Sequence, residues 1–349
     1  MAKTRVLIVD DSALIRQLLG DVLRHDPTIE VVGTASDPYH AWEKIKTLKP
    51  DVLTLDVEMP RMDGLTFLEK LMAAHPMPVL MISSLAESGC QTTLRALELG
   101  AVDYVTKPKV DVGNGTVQLA GEIIAKVHAA ARARISPRRM RRSTAPVAKP
   151  ALESKALIKS THQVVAIGAS TGGTEALLDV LSAMPADAPG IVVVLHMPAN
   201  FTKSFAARLD GACQIRVKEA ADGDTILPGH ALLAPGGLQM SVNRSGASYR
   251  VSVCPGAPVN HHCPSVDVLF NSVAMNIGSN AVGAILTGMG GDGARGMLAM
   301  RQAGARTIAQ DEASCVVFGM PKEAISLGGV EEVLPLDRIA PRVVRLTSA

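Results

Sequence analysis

Apolar and polar residues in the first part of the chain alternate in the way typical of a parallel α/β sheet. Five short apolar runs are separated by stretches whose apolar residues recur at helical spacing. The runs predict strands and are RVLIVDD, IEVVGTAS, DVLTLDV, PVLMISS and AVDYVTK. With helices between them and a last helix near 118–130, residues 1–127 are predicted to form a doubly wound parallel sheet. Ligands of such sheets bind beyond the carboxyl ends of the strands.

The same alternation returns after a change of composition. Residues 128–161 are rich in Ser, Pro, Ala and Lys, with arginines crowded near their start, which predicts a linker. Within 162–349, one segment alternates apolar and polar residues around turn signals, which predicts an antiparallel β-hairpin insertion. Its sequence is HALLAPGGLQMSVNRSGASYRVSV. The remaining strands of this doubly wound parallel α/β domain are predicted at 163–168, 191–195, 281–287 and 306–310.

Charge and cysteine content limit the expected partners and location. The 349 residues carry a net charge of +2, so nucleic acid is not an expected partner. The arginines of the linker could form a nucleic-acid arm, but no aromatic residues are interleaved with them, and we favour a solvated spacer. Five cysteines without CxxC spacing indicate reduced thiols and a cytoplasmic protein. The chain shows neither a signal-peptide pattern nor an apolar run of about 18 residues, so we expect neither secretion nor membrane insertion.

Polar residues end four of the five predicted strands of the first domain. Asp10 and Asp11 end the first strand, Asp56 the third, Ser83 the fourth and Lys107 the fifth. These groups can converge on one edge of the sheet, where three carboxylates repel one another unless a hard cation such as Mg²⁺ joins them. A single aspartate at a strand end more often caps a helix, but five matching positions favour a site for forming an aspartyl-phosphate.

The first domain resembles the two-component receiver domains, which have a flavodoxin-like fold. The resemblance rests on VLIVDDS, LDVEMPRMDG, PVLMISS and YVTKP and spans roughly residues 4–125. It implies a histidine kinase as phosphodonor and Mg²⁺ as cofactor. By position, it implies a phosphoacceptor at Asp56, Mg²⁺-binding acids at Asp10 and Asp11, a metal-binding backbone carbonyl at Glu58, a phosphoryl-contacting pair at Ser83 and Lys107, and an aromatic switch at Tyr104.

The stretch GASTGG opens the second domain between a predicted strand and a helix. A dinucleotide fingerprint needs glycine at the position of Ser170. A P-loop needs Lys-Ser or Lys-Thr after its second glycine, whereas Thr174 and Glu175 follow Gly173, so both phosphate-binding interpretations weaken. The segment fits GxSxG instead, the turn that exposes a serine hydroxyl. Because serine is also a routine helix cap, the nucleophile interpretation depends on finding a base and an acid.

Candidates for both roles follow other strands of this domain. His196 follows the second strand, and Asp292 lies in the glycine-rich loop after the strand at 281–287. The order Ser, His, Asp differs from that of α/β-hydrolases, but triads are defined by geometry rather than chain order. Asp267 and Asp311 remain possible alternatives for the acid. The run His261, His262 and Cys263 suggests a metal site, although three adjacent side chains rarely converge on one tetrahedral ion.

The second domain resembles the catalytic domain of the chemotaxis protein-glutamate methylesterases. The resemblance rests on AIGASTGGTEAL, VVLHMP, APGG, PSVDVLFNSVA, LTGMGGDGARGM and SCVVFGMPKEAI. It implies that Ser170, His196 and Asp292 are nucleophile, base and acid, with Met289 in the oxyanion loop and Thr171 beside the nucleophile. The implied reaction demethylates γ-glutamyl methyl esters of chemoreceptors, releases methanol, deamidates some glutamines and needs no cofactor.

A receiver domain joined to an esterase-like domain suggests that the first domain controls the activity of the second. We hypothesise that the unmodified receiver covers the Ser170 site and that phosphorylation at Asp56 repacks the face near Tyr104 and releases it. We expect a monomer. Two alternatives remain: a receiver with a DNA-binding output, for which no helix-turn-helix pattern is visible, and a scaffold that acts through protein contacts without catalysis.

Overall fold

The computed structural model describes residues 3–83, 87–107, 115–134 and 163–348. The chain divides into two compact units, Met1–Val147 and Ala148–Ala349, and each is described by itself. The first unit's last helix ends at Arg132, and most of the predicted linker lies outside the described residues. Within the described residues, no helix combines the length and apolar character that crossing a membrane requires.

The first unit alternates strands and helices. Its elements are β1 (Thr4–Val9), α1 (Ala13–Arg24), β2 (Ile29–Ala35), α2 (Pro38–Leu48), β3 (Val52–Asp56), α3 (Gly64–Ala74), β4 (Val79–Ser83), α4 (Glu87–Glu98), β5 (Asp103–Thr106) and α5 (Gly115–Arg132). The five strands form one parallel sheet in the order β2-β1-β3-β4-β5. The chain reverses its winding between β1 and β3, so the residues that follow these strands meet at the switch point.

Polar side chains cap the amino termini of the first three helices. The Ser12 hydroxyl accepts a hydrogen bond from the Ile15 N–H at the start of α1. Asp37 and Asp63 accept backbone N–H groups at the starts of α2 and α3 in the same way. These side chains satisfy donors that the first helical turn leaves free, which fixes where each helix begins.

The second unit is built on the same alternation. Its elements are β6 (Val164–Ala169), α6 (Gly173–Ser182), β7 (Gly190–Leu195), α7 (Phe201–Ala212), β8 (Arg216–Glu219), β9 (His230–Leu233), β10 (Gln239–Ser245), β11 (Ser248–Cys254), α8 (Val266–Asn276), a 3₁₀ turn (Gly278–Asn280), β12 (Ala281–Ile285), α9 (Ala294–Gln302), β13 (Arg306–Gln310), α10 (Met320–Ser326), β14 (Glu332–Leu334) and α11 (Leu336–Thr347).

Seven of these strands form a parallel sheet in the order β14-β13-β12-β6-β7-β9-β8. β6 and β7 are buried along their whole length, as expected for strands covered on both faces. The chain winds from β6 toward β8 and then returns to β12 on the other side of β6, which places a switch point at the end of β6. The predicted hairpin insertion is shorter than its sequence pattern indicates, because β9 pairs in parallel with β7 and β8 in the main sheet.

The hairpin of β10 and β11 supports helix α8. The Val242 N–H donates to the Ser272 hydroxyl at 2.8 Å, and the Asn276 side chain donates to the Val242 carbonyl at 2.9 Å. Buried apolar side chains of the hairpin and helix share one core, namely Met240, Val242, Val251, Leu269, Phe270 and Val273. The hairpin therefore holds α8 in place, and the amino terminus of α8 contacts Asp292, the candidate acid.

Candidate active site and phosphoacceptor site

Ser170 follows β6 at the switch point, in the turn that leads into α6. Its N–H donates to the Thr287 carbonyl at 3.0 Å, and its carbonyl accepts from the Gly173 N–H at 2.6 Å. The residue that caps α6 is Gly172, whose φ of 75° is the left-handed conformation that glycine tolerates best. The Ser170 hydroxyl makes no hydrogen bond to any described residue. The serine is therefore not a helix cap, and its hydroxyl is free to react.

His196, the predicted base, follows β7, which is the neighbour of β6 in the sheet. The His196 N–H donates to the carbonyl of Ala169, the residue before Ser170, at 3.2 Å. Its Nε2 lies 2.8 Å from Oδ2 of Asp292. Its Nδ1 is buried and has no hydrogen-bond partner in the described parts of the chain. Because an ionised carboxylate can only accept, Nε2 carries the proton, and Nδ1 is left with the lone pair that a general base needs.

Asp292 is ionised by the donors that surround it. Burial raises its pKa, but the hydrogen bonds that it accepts outweigh this effect and hold the pKa well below the ordinary range of a carboxyl group. The carboxylate also lies at the amino terminus of α8, where the helix dipole favours negative charge. Its donors are the His196 ring, the Asn260 carboxamide, the Ser265 hydroxyl and the backbone N–H groups of Val266 and Asp267.

The two alternative acids have other contacts. Asp267 accepts the Gly296 N–H at 2.7 Å and the Asn260 carboxamide at 2.8 Å. Asp311 accepts from the N–H and the hydroxyl of Ser314, which is a local turn contact. Of these three carboxylates, only Asp292 contacts the His196 ring within the described residues.

Thr287 organises the loops on the other side of the serine. Its hydroxyl donates toward the carbonyls of Thr171 and Val317 and accepts the N–H groups of Val316 and Val317, all within 3.2 Å. The following residue, Gly288, lies so close to Ser170 that a Cβ added to it would be 2.8 Å from the serine Cβ. Thr287 thus fixes the spacing between the Ser170 turn and the glycine-rich loop.

The loop then presents a backbone donor beside the serine. The Met289 N–H has no acceptor among the described residues, and Met289 directly follows Gly288. A free N–H next to a nucleophile is the group that an oxyanion site requires.

His262 lies in the site without forming a metal centre. Its ring stacks on that of His196, with ring centroids 3.6 Å apart and an angle of 10° between the planes. In the described residues, the only group of at least three His, Cys, Asp or Glu side chains that could hold a metal ion is in the first unit.

That group consists of Asp10, Asp11 and Asp56 at the switch point of the first sheet. One ligand oxygen from each lies within 4.8 Å of the others. Lys107 Nζ lies 2.8 Å from Oδ2 of Asp56 and 3.6 Å from Oδ2 of Asp10. Oδ2 of Asp10 is buried and accepts no hydrogen bond from a described residue. An oxygen-only donor set with a buried, unsatisfied carboxylate oxygen fits Mg²⁺.

Burial and mutual repulsion perturb these carboxyl groups. Burial and the nearby Asp10 raise the pKa of Asp56 to about 6, although the hydrogen bond from Lys107 opposes this shift. Burial, together with Asp11, also raises the pKa of Asp10. The site therefore holds more negative charge than its single lysine offsets, which is the condition that favours binding a cation.

The remaining predicted residues of this site lie around Asp56. Ser83 is buried; its hydroxyl accepts from Thr93 at 2.6 Å, and its carbonyl accepts the Lys107 N–H at 2.7 Å. The Glu58 N–H donates to Asp56 at 3.3 Å. The Tyr104 ring is buried, and Lys126 Nζ lies 5.0 Å from its centroid.

Comparison with known proteins identifies both units. The family model described as CheB methylesterase matches residues 165–343, and that of the response regulator receiver domain matches residues 6–112. A protein-glutamate methylesterase/protein-glutamine glutaminase of Syntrophotalea carbinolica is 56% identical over 346 residues, covering 99% of this chain and 98% of the relative. The chain belongs to the CheB methylesterase family. A relative of the same name from Salmonella choleraesuis is 55% identical over 349 residues, covering 100% of this chain and 98% of the relative.

The solved structure of the CheB methylesterase catalytic domain of Thermotoga maritima is similar to the second unit. Its TM-score is 0.52 at 37% identity, and the match covers 53% of this chain and 98% of that one. The predicted fold class, receiver domain and enzyme class, a carboxylic ester hydrolase with glutaminase activity, are thus confirmed. A non-catalytic scaffold is not favoured, and adaptation in chemotaxis follows from the CheB family.

Three residues that support the candidate CheB site are not predicted from the sequence. Asn260 and Ser265 bond to Asp292, and Thr287 joins the two loops beside Ser170. Asn260 and Ser265 carry little signal in the sequence, because each is a small polar residue in a loop, whereas Thr287 ends the strand predicted at 281–287 and its position gives a usable signal. The sequence suggests His262 only as a metal ligand, whereas its observed contact is with the ring of His196.

Proposed function

We propose that this chain demethylates γ-glutamyl methyl esters on methyl-accepting chemotaxis receptors through Ser170, His196 and Asp292. The observation that carries the proposal is the buried, unpartnered Nδ1 of His196 on a ring whose Nε2 bonds to an ionised carboxylate. A base with this tautomer can accept a proton only at Nδ1. The free hydroxyl of Ser170 is the nearby group that benefits from such a base.

Acylation begins when the Ser170 oxygen attacks the ester carbonyl and its proton moves to Nδ1 of His196. The bond from carbonyl carbon to the methoxy oxygen then breaks, and methanol leaves with the proton from Nδ1. Throughout this step, Asp292 holds the ring and stabilises its positive charge. The product is a glutamyl ester of Ser170.

Deacylation repeats the cycle with water. Nδ1 of His196 takes a proton from the water as its oxygen attacks the glutamyl ester, and the Ser170 oxygen leaves and recovers the proton. The receptor keeps a free γ-carboxylate. Deamidation of a glutamine uses the same two stages with ammonia as the first leaving group.

The negative oxygen of each tetrahedral intermediate needs donors beside Ser170. We assign the Met289 N–H, which has no described acceptor, to this role, and Thr171 to the support of the turn. The Thr171 carbonyl accepts from the buried Thr287 hydroxyl at 3.0 Å, which ties the turn to the loop of Met289. Losing one oxyanion donor typically costs roughly 3 kcal/mol of transition-state stabilisation.

We propose that phosphorylation of the first unit controls the esterase activity of the second. A histidine kinase is the proposed phosphodonor and Asp56 the acceptor. Asp10, Asp11, Asp56 and the Glu58 carbonyl would hold Mg²⁺, which when bound supplies positive charge that offsets the charges of the carboxylates and the incoming phosphoryl group. Lys107 contributes a second positive charge 2.8 Å from Asp56, and Ser83 and Tyr104 are the proposed phosphoryl contact and switch.

We also propose the domain boundaries, the cellular location and the oligomeric state of the protein. The family matches at 6–112 and 165–343 support the proposed domains at 1–127 and 162–349, with a linker at 128–161. Five cysteines without CxxC spacing support a cytoplasmic location. A monomer remains a prediction.

Methanol release from methylated receptor tests the function. The wild-type chain should release methanol faster when a small phosphodonor is present, Ser170→Ala should release none above background, and Asp56→Asn should lose only the stimulation. If Ser170→Ala retains its cellular effect on adaptation, a scaffold role replaces the catalytic one. If the phosphodonor stimulates Asp56→Asn as well, Asp56 is not the acceptor.

A further inference from the structure

Asn260 joins the two carboxylates nearest to the base. Its Nδ2 donates to Oδ1 of Asp292 and to Oδ2 of Asp267, at 2.8 Å in both cases. A carboxamide nitrogen carries two hydrogens, so both bonds form at once. Asn260 therefore places a neutral double donor between two acids that would otherwise repel each other.

The position of Asn260 depends on a tight turn with an unusual backbone. Val259 and His262 exchange backbone hydrogen bonds of 3.0 and 2.9 Å across the turn. The two residues between them, Asn260 and His261, have φ values of 50° and 69°. Few residues other than glycine adopt this left-handed conformation, although asparagine and histidine are among those that do so more often. Such backbone conformations persist only where the surroundings hold them, and they cluster at functional sites.

The side chain of Gln239 holds this turn from the hairpin. Its Nε2 donates to the His262 carbonyl at 3.3 Å and to the Ala257 carbonyl at 3.1 Å, and its Oε1 accepts the Ser265 N–H at 2.9 Å. The turn is thereby anchored on both sides. One end of the turn directs the Asn260 carboxamide to the acid, and the other stacks His262 on the base.

We propose that Asn260 is a positioning residue that fixes the Asp292 carboxylate for its bond to His196, an inference that rests on the proposed function. The Oδ2 atom of Asp292 bonds to the ring, whereas Oδ1 faces Asn260 and the Ser265 hydroxyl. Rotation of the carboxylate about its Cβ–Cγ bond would carry Oδ2 away from Nε2. The bond from Asn260 to Oδ1 opposes that rotation.

Two variants remove the donor while retaining the turn. Asn260→Gly keeps a residue that accepts positive φ, and Asn260→Asp keeps the size but replaces the donor with an acceptor. His261→Gly is the matched control, since this exposed neighbour shares the left-handed backbone and makes no hydrogen bond to a described residue. In full-length protein we expect both Asn260 variants to lower kcat about tenfold to a hundredfold, with KM within about twofold of wild type. His261→Gly should stay within about twofold in both constants.

A fluorophosphonate probe separates activation of the serine from receptor binding. Labelling forms a bond from the Ser170 oxygen to phosphorus and breaks the phosphorus–fluorine bond, with the hydroxyl proton passing to His196. The labelling rate of the Asn260 variants should fall by the same factor as kcat. Wild-type labelling rate and kcat in Asn260→Asp would overturn the inference, as would a loss confined to KM. Failure of the wild-type chain to label at Ser170, with methanol release unchanged in Ser170→Ala, would instead overturn the proposed function and the inference with it.

Discussion

Replacing Asp292 with asparagine tests whether a charged carboxylate sets the tautomer of His196. Five donors converge on the two oxygens of Asp292, whereas asparagine offers one acceptor oxygen and one donor nitrogen. If the new NH₂ faces His196, Nε2 must accept and the ring proton moves to Nδ1. That proton blocks the only atom that can take the proton of Ser170.

The opposite orientation of the asparagine is no better. The NH₂ would then face the donors that reach Oδ1, which are the Asn260 carboxamide, the Ser265 hydroxyl and the Asp267 N–H. The orientation that blocks the base loses only the Val266 N–H, which reaches Oδ2, whereas the opposite one loses three donors. Because each lost hydrogen bond costs about 1.5–3 kcal/mol, the orientation that blocks the base is favoured. We expect Asp292→Asn to lower kcat by about 10³–10⁴-fold, the size of effect known for a triad with the wrong tautomer.

The assay is methanol release from methylated receptor, with circular dichroism and thermal unfolding to verify that the variant is folded. Asp267→Asn is the matched control, because Asp267 is a buried carboxylate of the same network that does not contact His196. We expect it to retain more than about a tenth of the activity. A folded Asp292→Asn protein with activity equal to that of Asp267→Asn would refute the tautomer argument.

Three further predictions concern the metal site and the support of the serine. Burial raises the pKa of Asp56 to about 6, so protons should compete with Mg²⁺ and lower its affinity about tenfold for each pH unit below that value; calorimetric titrations that give equal affinities at about pH 5 and about pH 7 would contradict this. Gly288→Ala should lower stability by about 1–3 kcal/mol and reduce activity, because the new Cβ would lie 2.2 Å from Met320 Sδ and 2.8 Å from Ser170 Cβ; urea unfolding and methanol release are the measurements. Thr287→Val should destabilise the second unit by about 2–4 kcal/mol in the same urea assay, since two buried N–H groups lose their acceptor, and an unchanged midpoint would refute it.

The residues at strand ends could be predicted from the sequence because topology determines their position. A parallel sheet brings its carboxyl ends to one edge, so Asp10 and Asp56 could be expected together in one unit, as could Ser170 and His196 in the other. The prediction required only the strand assignments, which apolar runs indicate reliably. Strand ends alone do not single out Asp292, because Asp311 directly follows β13; the family resemblance selects Asp292.

The contacts made by loops could not be predicted in the same way. Asn260 reaches Asp292 only because a left-handed turn directs its side chain inward, and no local pattern specifies that backbone. The GxSxG pattern indicated the reactive serine, but the positive φ in this turn falls on Gly172 rather than on Ser170. Likewise, β9 has the alternation of a hairpin strand, yet it joins the main sheet because pairing partners are set by tertiary packing.

We propose that the oxygen of Ser170 forms a covalent ester with the receptor glutamate. Rapid acid quenching of the full-length protein with a methylated receptor peptide, followed by mass spectrometry, tests it most directly. We expect a glutamyl adduct on the peptide that contains Ser170, formed together with methanol, and neither product with Ser170→Ala. Methanol release by Ser170→Ala at the wild-type rate, without any adduct, would contradict it.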